Sequence, residues 1–567
     1  MPNEVVESRE SPGIEDAGKK KWITCSILLL VNLLNYIDRY TIVGVMNEIT
    51  PFFDMNDKQK GLLQTVFIVF YMIFAPLFGY LGDRYNRKML MMTGLTIWIT
   101  AVFASSFCRE GHYYMFLFCR GVVGIGEASY STIAPTVLSD LFSGAKRSRV
   151  LMIFYFAIPV GSGLGFIAGS GMTTITGNWV WGVRFSPIIG IVCMILMIFL
   201  LEEPVRGSCD GARQSGDNAS WWDDVKYLLS IRTFCLATIA SVSSLFSVGA
   251  MSWWTPAFIE SSWAVINKEP AVPSAQSAKI NLIFGLITCA AGILGVATGS
   301  ILSRAWRDGK SIFRNNPSEK ADVYVCAISV FVALPFLFLA ISLAHHSMDA
   351  ALVLIFFGIT SMCLNWAVNV DILMYVVVAN RRATALAVQT MLAHMFGDAS
   401  SPYIVGVLSD WFKGEDASIA GKFFALQKAL YLPAFVLVIG GAFYLAATFF
   451  VEEDRKEALF QMDAPDDWDH QNDSEDLDSL IPSGQQQPES FVGREEGPAI
   501  DDNDIEKLSS DEDEDSNEKD DNNTIRFQRK TGGNDDDQTD NSAAYLSDET
   551  DEWDVERKGS DNEEEVI

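Results

Sequence analysis

Twelve stretches of this chain are long and apolar enough to cross a bilayer, and that excludes ordinary soluble folds. They run approximately 22–46, 58–81, 88–108, 113–141, 148–172, 180–201, 231–258, 279–303, 322–344, 348–378, 383–410 and 421–451. A hydrocarbon core about 30 Å thick needs roughly 20 helical residues at about 1.5 Å each. Inside lipid the backbone must satisfy its own hydrogen bonds, which leaves helices or closed barrels. These runs are too long for barrel strands and do not alternate with period two, so they predict helices. The first run follows Lys19, Lys20 and Lys21. It is too long for a signal-peptide core and lacks a small-residue cleavage site, so a retained span is expected.

The net charge of −29 over 567 residues averages two unlike regions. Glu452 to Ile567 hold 41 Asp/Glu against 10 Lys/Arg, a charge of −31, which leaves the body 1–451 at +2. Such an acidic, low-complexity tail cannot bury enough apolar area to fold alone. The expected organisation is a disordered cytosolic N-terminus (1–20), a six-helix bundle (21–201) and a cytosolic linker (202–230). A second six-helix bundle (231–451) and a disordered acidic cytosolic tail (452–567) follow. With the N-terminus cytosolic, the inside loops and flanks carry 20 Lys/Arg and the opposite ones 8, which puts both termini in the cytosol. The stretch from Ala145, AKRSRVLMIFYFAIPVGSGLG, is weakly similar to the one from Ala379, ANRRATALAVQTMLAHMFGDA. Paired halves around a central site are a common transporter plan.

Seven of the nine cysteines fall inside apolar segments and read as small core residues. No CxxC pair and no metal-type histidine spacing occurs, so neither a metal centre nor a cofactor is expected. No nucleophile–base constellation appears either, so an enzyme is not expected; nucleic acid is not an expected partner, although the acidic balance that argues against it describes only the tail.

The fourth span, RGVVGIGEASYSTIAPTVLSDLF from Arg120, carries charge inside the membrane. Arg120 and Glu127 are seven residues apart and share a helix face, with Ser131 four further on. Each such charge costs about 3 kcal/mol on insertion scales, and persists by pairing or by lining a polar cavity. The first span contains NLLNYIDRY, where Asp38 and Arg39 lie at a depth compatible with Arg120. An aspartate beside arginines is either a proton-coupling carboxylate or a permanent ion pair, and both remain open. Arg39 and Arg120 suit a phosphate-bearing head group, and Tyr130, Ser131 and Thr132 add hydroxyls. Trp253 and Trp254 are read first as interfacial anchors and second as acyl-chain lining. In the eleventh span, His394 and Asp398 are four apart, either a pH sensor or a polar packing pair. Asn365 and Asn369 share a face of the tenth span, where helix–helix hydrogen bonds are the simpler account. Gly161, Gly165 and Gly169 predict tight contact with another helix, one that rocks during transport.

The loop GYLGDRYNRK, Gly79 to Lys88, resembles the signature loop of the major facilitator superfamily. As a gate, Gly79 and Gly82 would allow close helix approach and Asp83 would face a neighbouring helix N-terminus. Arg84 adds charge to this loop, and Arg87 would reach Asp140 at the end of the fourth span. These contacts are expected to form with the far side open and to break on inward opening. Ser303 stands in the second half where Asp83 stands in the first, so an asymmetric latch is expected.

The fourth span, NYIDR, GDRYNRK, NWAVNVDILMYVVVANRRATALA and HMFGDASSPYIVGVLSD together resemble the Spinster family of that superfamily. The resemblance covers the membrane body and neither terminus. It implies an all-α integral membrane protein with the twelve-helix major facilitator fold. It also implies transport of lysophospholipids or sphingoid lipids, such as sphingosine and its 1-phosphate, by alternating access with proton coupling. Asp38, Arg39, Arg120 and Glu127 would form the polar core of the pocket. The alternatives are a proton-coupled carrier of a small organic anion or sugar, and a membrane scaffold acting through the acidic tail. Asp476, Leu480 and Ile481 fit an acidic dileucine pattern read by sorting adaptors. That pattern favours a lysosomal or late endosomal membrane, with the plasma membrane as alternative.

Overall fold

The computed structural model describes residues 14–142, 144–204, 221–310, 313–378, 381–416 and 418–463. The dileucine motif Asp476, Leu480 and Ile481 lies outside the described residues. Those described belong to one compact unit.

Every regular element is helical among the described residues. Helix α1 (Ile14–Gly44) passes through Val45 into the short α2 (Met46–Phe52). Then follow α3 (Asp57–Arg84), α4 (Arg87–Ser105), α5 (Tyr113–Leu141), α6 (Gly144–Thr176) and α7 (Trp179–Leu200). Side chains cap the starts of these helices where the chain turns. Asn56 Oδ1 accepts from Gln59 N at 2.8 Å while Gln59 Oε1 accepts from Asn56 N at 3.0 Å, a reciprocal cap at the start of α3. Asn86 accepts from Met89 N at 2.8 Å to start α4. The second set comprises α8 (Trp221–Ser230), α9 (Arg232–Asn267), α10 (Ser274–Arg307), α11 (Ala321–Leu343), α12 (Met348–Cys363) and α13 (Asn365–Val376). After it come α14 (Arg382–Ala393), a π-turn over His394–Asp398, α15 (Ser401–Lys413), α16 (Ile419–Ala447) and α17 (Val451–Asp463).

Ten of the twelve predicted spans are long and apolar enough, as helices, to cross a membrane among the described residues. The other two are helical but compositionally weaker. Helix α5 has the predicted bounds, yet Arg120, Glu127, Asp140 and its many small residues lower its mean hydropathy. The stretch 383–410 divides into α14, the π-turn and α15. Both segments contribute to the polar centre described below.

The predicted ends shift. Helix α1 starts inside the N-terminal segment, α8 occupies the end of the linker, and α17 replaces the first residues of the predicted tail. Helix α17 is tied to the body. Asp454 Oδ2 accepts from Thr233 N at 2.7 Å, capping α9 from outside its own chain segment. Arg455 reaches Glu319 at 3.5 Å and Lys320 reaches Glu452 at 3.6 Å. A chain ending after Asp463 is therefore expected to keep its thermal midpoint in detergent. One ending after Phe450 loses the α9 cap and about 1 kcal/mol of stability. Melting curves of the two truncations check this.

Helices α1–α7 pack into one bundle and α9–α16 into a second. The bundles meet chiefly through α6 against α10 and α3 against α15. Gly161, Gly165 and Gly169 do give close approach, but to α1 within their own bundle. A Cβ on Gly165 would lie 2.5 Å from Ile37 O, and one on Gly169 2.4 Å from Thr41 O. The glycine that faces the other bundle is Gly163, whose Cβ would lie 2.3 Å from Gly285 O. Near one end, Gly61 and Gly406 bring α3 and α15 into backbone contact, with Cβ positions 2.2 Å from Pro402 O and 2.4 Å from Asp57 O. There Asp410 accepts from Lys58 N at 2.8 Å and Asp57 N at 3.3 Å, and Ser409 donates to Asp57 at 2.7 Å. A carboxylate on exposed helix-start N–H groups is favoured by the helix dipole. That end of the molecule is sealed by contacts between the bundles.

Candidate functional site

Helices α1 and α5 cross in the middle of the first bundle, and their charges pair there. Arg39 Nη2 donates to Glu127 Oε1 at 2.6 Å. Arg120 Nη1 lies 3.8 Å from Asp38 Oδ2. All four side chains are buried. Two consecutive residues of α1 thus meet two residues seven apart on α5, because long guanidinium arms span the offset. Asp38 is held further: Trp98 Nε1 donates to Oδ2 at 3.0 Å and Ser186 Oγ to Oδ1 at 2.5 Å.

The arginines sit against aromatic faces. The Phe67 ring centroid is 4.8 Å from the Arg39 guanidinium carbon and 5.1 Å from that of Arg120, and Tyr36 is 5.3 Å from Arg39. Such contacts stabilise a cation by about 0.5–2 kcal/mol each. The guanidinium groups are not saturated. Arg39 Nε and Arg120 Nε and Nη2 are buried without a hydrogen-bond partner. Buried N–H groups left unpaired cost roughly 1–3 kcal/mol each, so an incoming anion has donors waiting.

Ser131 donates to the Tyr71 hydroxyl at 3.0 Å, on the same side as Glu127. Tyr71 then faces His394 of the second bundle, ring centroids 6.4 Å apart. His394 Nδ1 meets Asp398 Oδ1 at 2.9 Å and Oδ2 at 3.1 Å, both residues in the π-turn. Glycines set that turn against α9: a Cβ on Gly249 would lie 2.5 Å from Asp398 Cα. The Asp398 carboxylate also acts electrostatically on Arg39. The predicted charges of α1 and α5 therefore pair inside the first bundle, and Ser131 reaches the π-turn of the second through Tyr71.

Other predicted residues lie elsewhere. Tyr130 donates to Leu28 O and packs against α1, away from the centre. Thr132 bonds its own helix at Ala128 O, 2.9 Å. Trp253 and Trp254 are buried, and Trp254 Nε1 donates to Pro402 O at 3.0 Å, so both are packing residues rather than interfacial anchors. Asn369 bonds Gln389 at 3.0 Å and Tyr444 at 3.1 Å, joining α13 to α14 and α16.

The signature loop is tied down within its own bundle. Arg87 pairs with Asp140, and Arg87 N donates to Glu203 at 2.8 Å. Lys88 Nζ donates to Ile198 O and Leu201 O, each at 2.8 Å. The Arg87–Asp140 contact stands together with the Asp57/Asp410 contacts that tie the bundles at the other end. It joins α4 to α5 within the first bundle. Gly79 faces open space, so it provides no close approach, whereas a Cβ on Gly82 would meet Ile133 at 3.1 Å. Arg84 is exposed and lies over Tyr80 at 3.6 Å, reaching no acid among the described residues. The Asp83 side chain lies outside the described residues. In the second bundle Ser303 donates to Asp322, and Arg307 joins it at 2.9 Å. A serine–aspartate–arginine set thus stands where the first half carries Asp83.

Trp98, Ser186, Tyr71 and Phe67 were missed. Trp98 carried a signal: it lies in the middle of its span, where an indole N–H needs a buried acceptor. The α4–α5 crossing places it. A Cβ on Gly126 would lie 2.6 Å from both Gly94 O and Trp98 N. Gly126→Ala is expected to cost about 1–3 kcal/mol by overpacking and to displace Trp98 from Asp38. Thermal melting, read with Trp98 fluorescence against a Trp98→Phe control, checks it.

Bundled helices around a central buried charge cluster are the architecture of a membrane carrier. A profile of the Major Facilitator Superfamily matches residues 28–402. Protein spinster homolog 1 of Xenopus laevis is 45% identical over 443 residues, covering 78% of this chain and 83% of that protein. The sphingosine-1-phosphate transporter SPNS2 of Xenopus tropicalis is 41% identical over 434 residues, covering 76% and 82%. A crystal structure of a bacterial homolog to the human lysosomal transporter Spinster superposes with a TM-score of 0.65 at 18% identity, covering 77% of this chain and 98% of that one. The chain belongs to the major facilitator superfamily and, within it, to the spinster family.

Proposed function

We propose that this protein moves a single-chain lipid, a lysophospholipid or a sphingoid lipid such as sphingosine 1-phosphate, across its membrane by alternating access. The observation that carries this is the pair of buried arginines with unsatisfied N–H groups at the centre of the first bundle. A charged head group would supply their missing acceptors, and the apolar and aromatic faces around them suit one acyl chain. The 41% identity to a protein named as a sphingosine-1-phosphate transporter supports the same substrate class.

In this proposal the fold is the full twelve-helix arrangement of two six-helix halves, with both termini cytosolic. The sealed Asp57/Asp410 end then faces the lumen or exterior, and the centre opens toward the cytosol. Protons drive the cycle. Asp38 is fixed by Trp98, Ser186 and Arg120, whereas Glu127 depends on Arg39 for its side-chain bond. Glu127 is therefore the carboxyl that exchanges a proton as Arg39 turns to the substrate, and Asp38 the permanent counter-ion. His394 and Asp398 close the pocket from the second half. A lysosomal or late endosomal site, reached through the dileucine motif, is part of the same proposal.

The test is uptake of radiolabelled lysophosphatidylcholine and sphingosine 1-phosphate into proteoliposomes, with and without a pH gradient. Saturable uptake raised by the gradient is expected. A folded protein that takes up neither lipid would overturn the substrate assignment.

A further inference from the structure

A second carboxyl cluster lies away from the central site, toward the sealed end. Glu260 of α9 is buried. Ser277 donates to its Oε1 at 2.5 Å and Asn281 Nδ2 at 3.0 Å, both from α10. Asn47 Nδ2 lies 3.5 Å from Ser277 Oγ, linking the start of α2 in the first bundle to this set in the second. Glu48, next in the chain, acts electrostatically on Glu260. Neither acid has an ion-pair partner among the described residues. The cations on neighbouring helices point elsewhere: Lys279 of α10 is exposed, and Lys428 of α16 lies over Phe412 at 5.9 Å.

Two further features mark this as a site rather than a packing accident. Asn281 is 1% exposed, yet its Oδ1 has no partner, and Glu48 Oε2 is likewise buried and unpaired. These are acceptors without a hydrogen to accept. A cavity of about 390 Å³, lined by Glu48, Thr173, Asn178 and Ser274 among others, gives access to Glu48. Burial also pushes the Glu48 carboxyl above its ordinary range.

We infer that Glu260, assisted by Glu48, is a proton-binding site that holds this end of the transporter closed when occupied. Closing the bundles drives two carboxyls together without a cation. One negative charge in that space is tolerated by the Ser277 and Asn281 donors, and two are not. A carboxyl that takes up a proton on closure favours the closed state at low pH and releases it as pH rises. No covalent step is involved; the proton enters from the cavity and leaves when the clasp opens. The inference rests on the alternating-access proposal above but not on the lipid, because its readout needs no substrate.

The test uses the full chain in nanodiscs, spin-labelled at Arg109→Cys in the first bundle and Lys268→Cys in the second. The distance distribution is measured from pH 5 to pH 8. In the otherwise unsubstituted protein the open-to-closed ratio is expected to rise with pH by up to about tenfold per unit, the slope of one proton. Glu260→Gln should stay closed at every pH. Glu48→Gln should move the transition to lower pH, because the remaining carboxyl then ionises more readily. Asp410→Ala, which weakens the seal without touching the carboxyls, should raise the open fraction and keep the pH slope. An unchanged pH slope in Glu260→Gln would overturn the inference. So would a transition that follows sodium concentration at fixed pH, which would assign the oxygen cluster to a metal cation instead.

Discussion

Arg120→Ala is expected to reduce saturable lipid uptake to the level of protein-free vesicles, and also to destabilise the protein. The second effect follows from geometry. Asp38 would keep Trp98 and Ser186 as donors but lose its cation 3.8 Å away, inside a bundle where all these side chains are buried. Removing one partner of a buried ion pair costs about 3–5 kcal/mol, because the other charge stays unpaired. The two effects separate in a second variant. Asp38→Asn with Arg120→Gln removes both charges and keeps hydrogen-bonding groups, so the thermal midpoint should return most of the way. Uptake should stay lost, since the unsatisfied Arg120 N–H groups that await the head group are gone. Recovery of uptake together with stability would make Arg120 a purely structural residue.

Glu127→Gln is expected to abolish stimulation by a pH gradient while lipid exchange at equal pH continues. Glutamine keeps the shape and an acceptor for Arg39, now 2.6 Å from Glu127 Oε1, but cannot release or take up a proton. Arg39 loses its counter-charge and is expected to lean on the Phe67 and Tyr36 faces, each worth about 0.5–2 kcal/mol. Affinity for an anionic head group should therefore hold or rise. Comparing gradient-driven accumulation with counterflow in the same vesicles checks this. Accumulation at the original level in Glu127→Gln would leave Glu127 a static ion-pair partner.

Helix α5 was fully legible because length, charge position and the small-residue pattern all lie in one continuous stretch. The central charges were legible as residues that must find partners, since lipid leaves no other solution. Their pairing was less so. Arg120 and Glu127 share a face, which suggested one cluster, but each pairs with a different residue of α1. The Trp98 and Ser186 bonds to Asp38 come from spans three and six, where a tryptophan and a serine among apolar residues are unremarkable. The gate was half legible: Arg87 and Asp140 do meet, yet Gly79 and Arg84 take no part.

By itself the sequence determined that this is a helical membrane body with an acidic tail, that charge is buried at its centre, and which family it resembles. Those properties are carried by hydropathy, by local spacing and by contiguous motifs. Only the tertiary structure decided which acid meets which arginine. It also decided that Asp410 caps α3, and that Asn47 of the first bundle meets the Glu260, Ser277 and Asn281 set of the second. Each of those contacts depends on the depth, rotation and offset of helices far apart in the chain, and helix packing at backbone glycines, rather than any local preference, sets those three quantities.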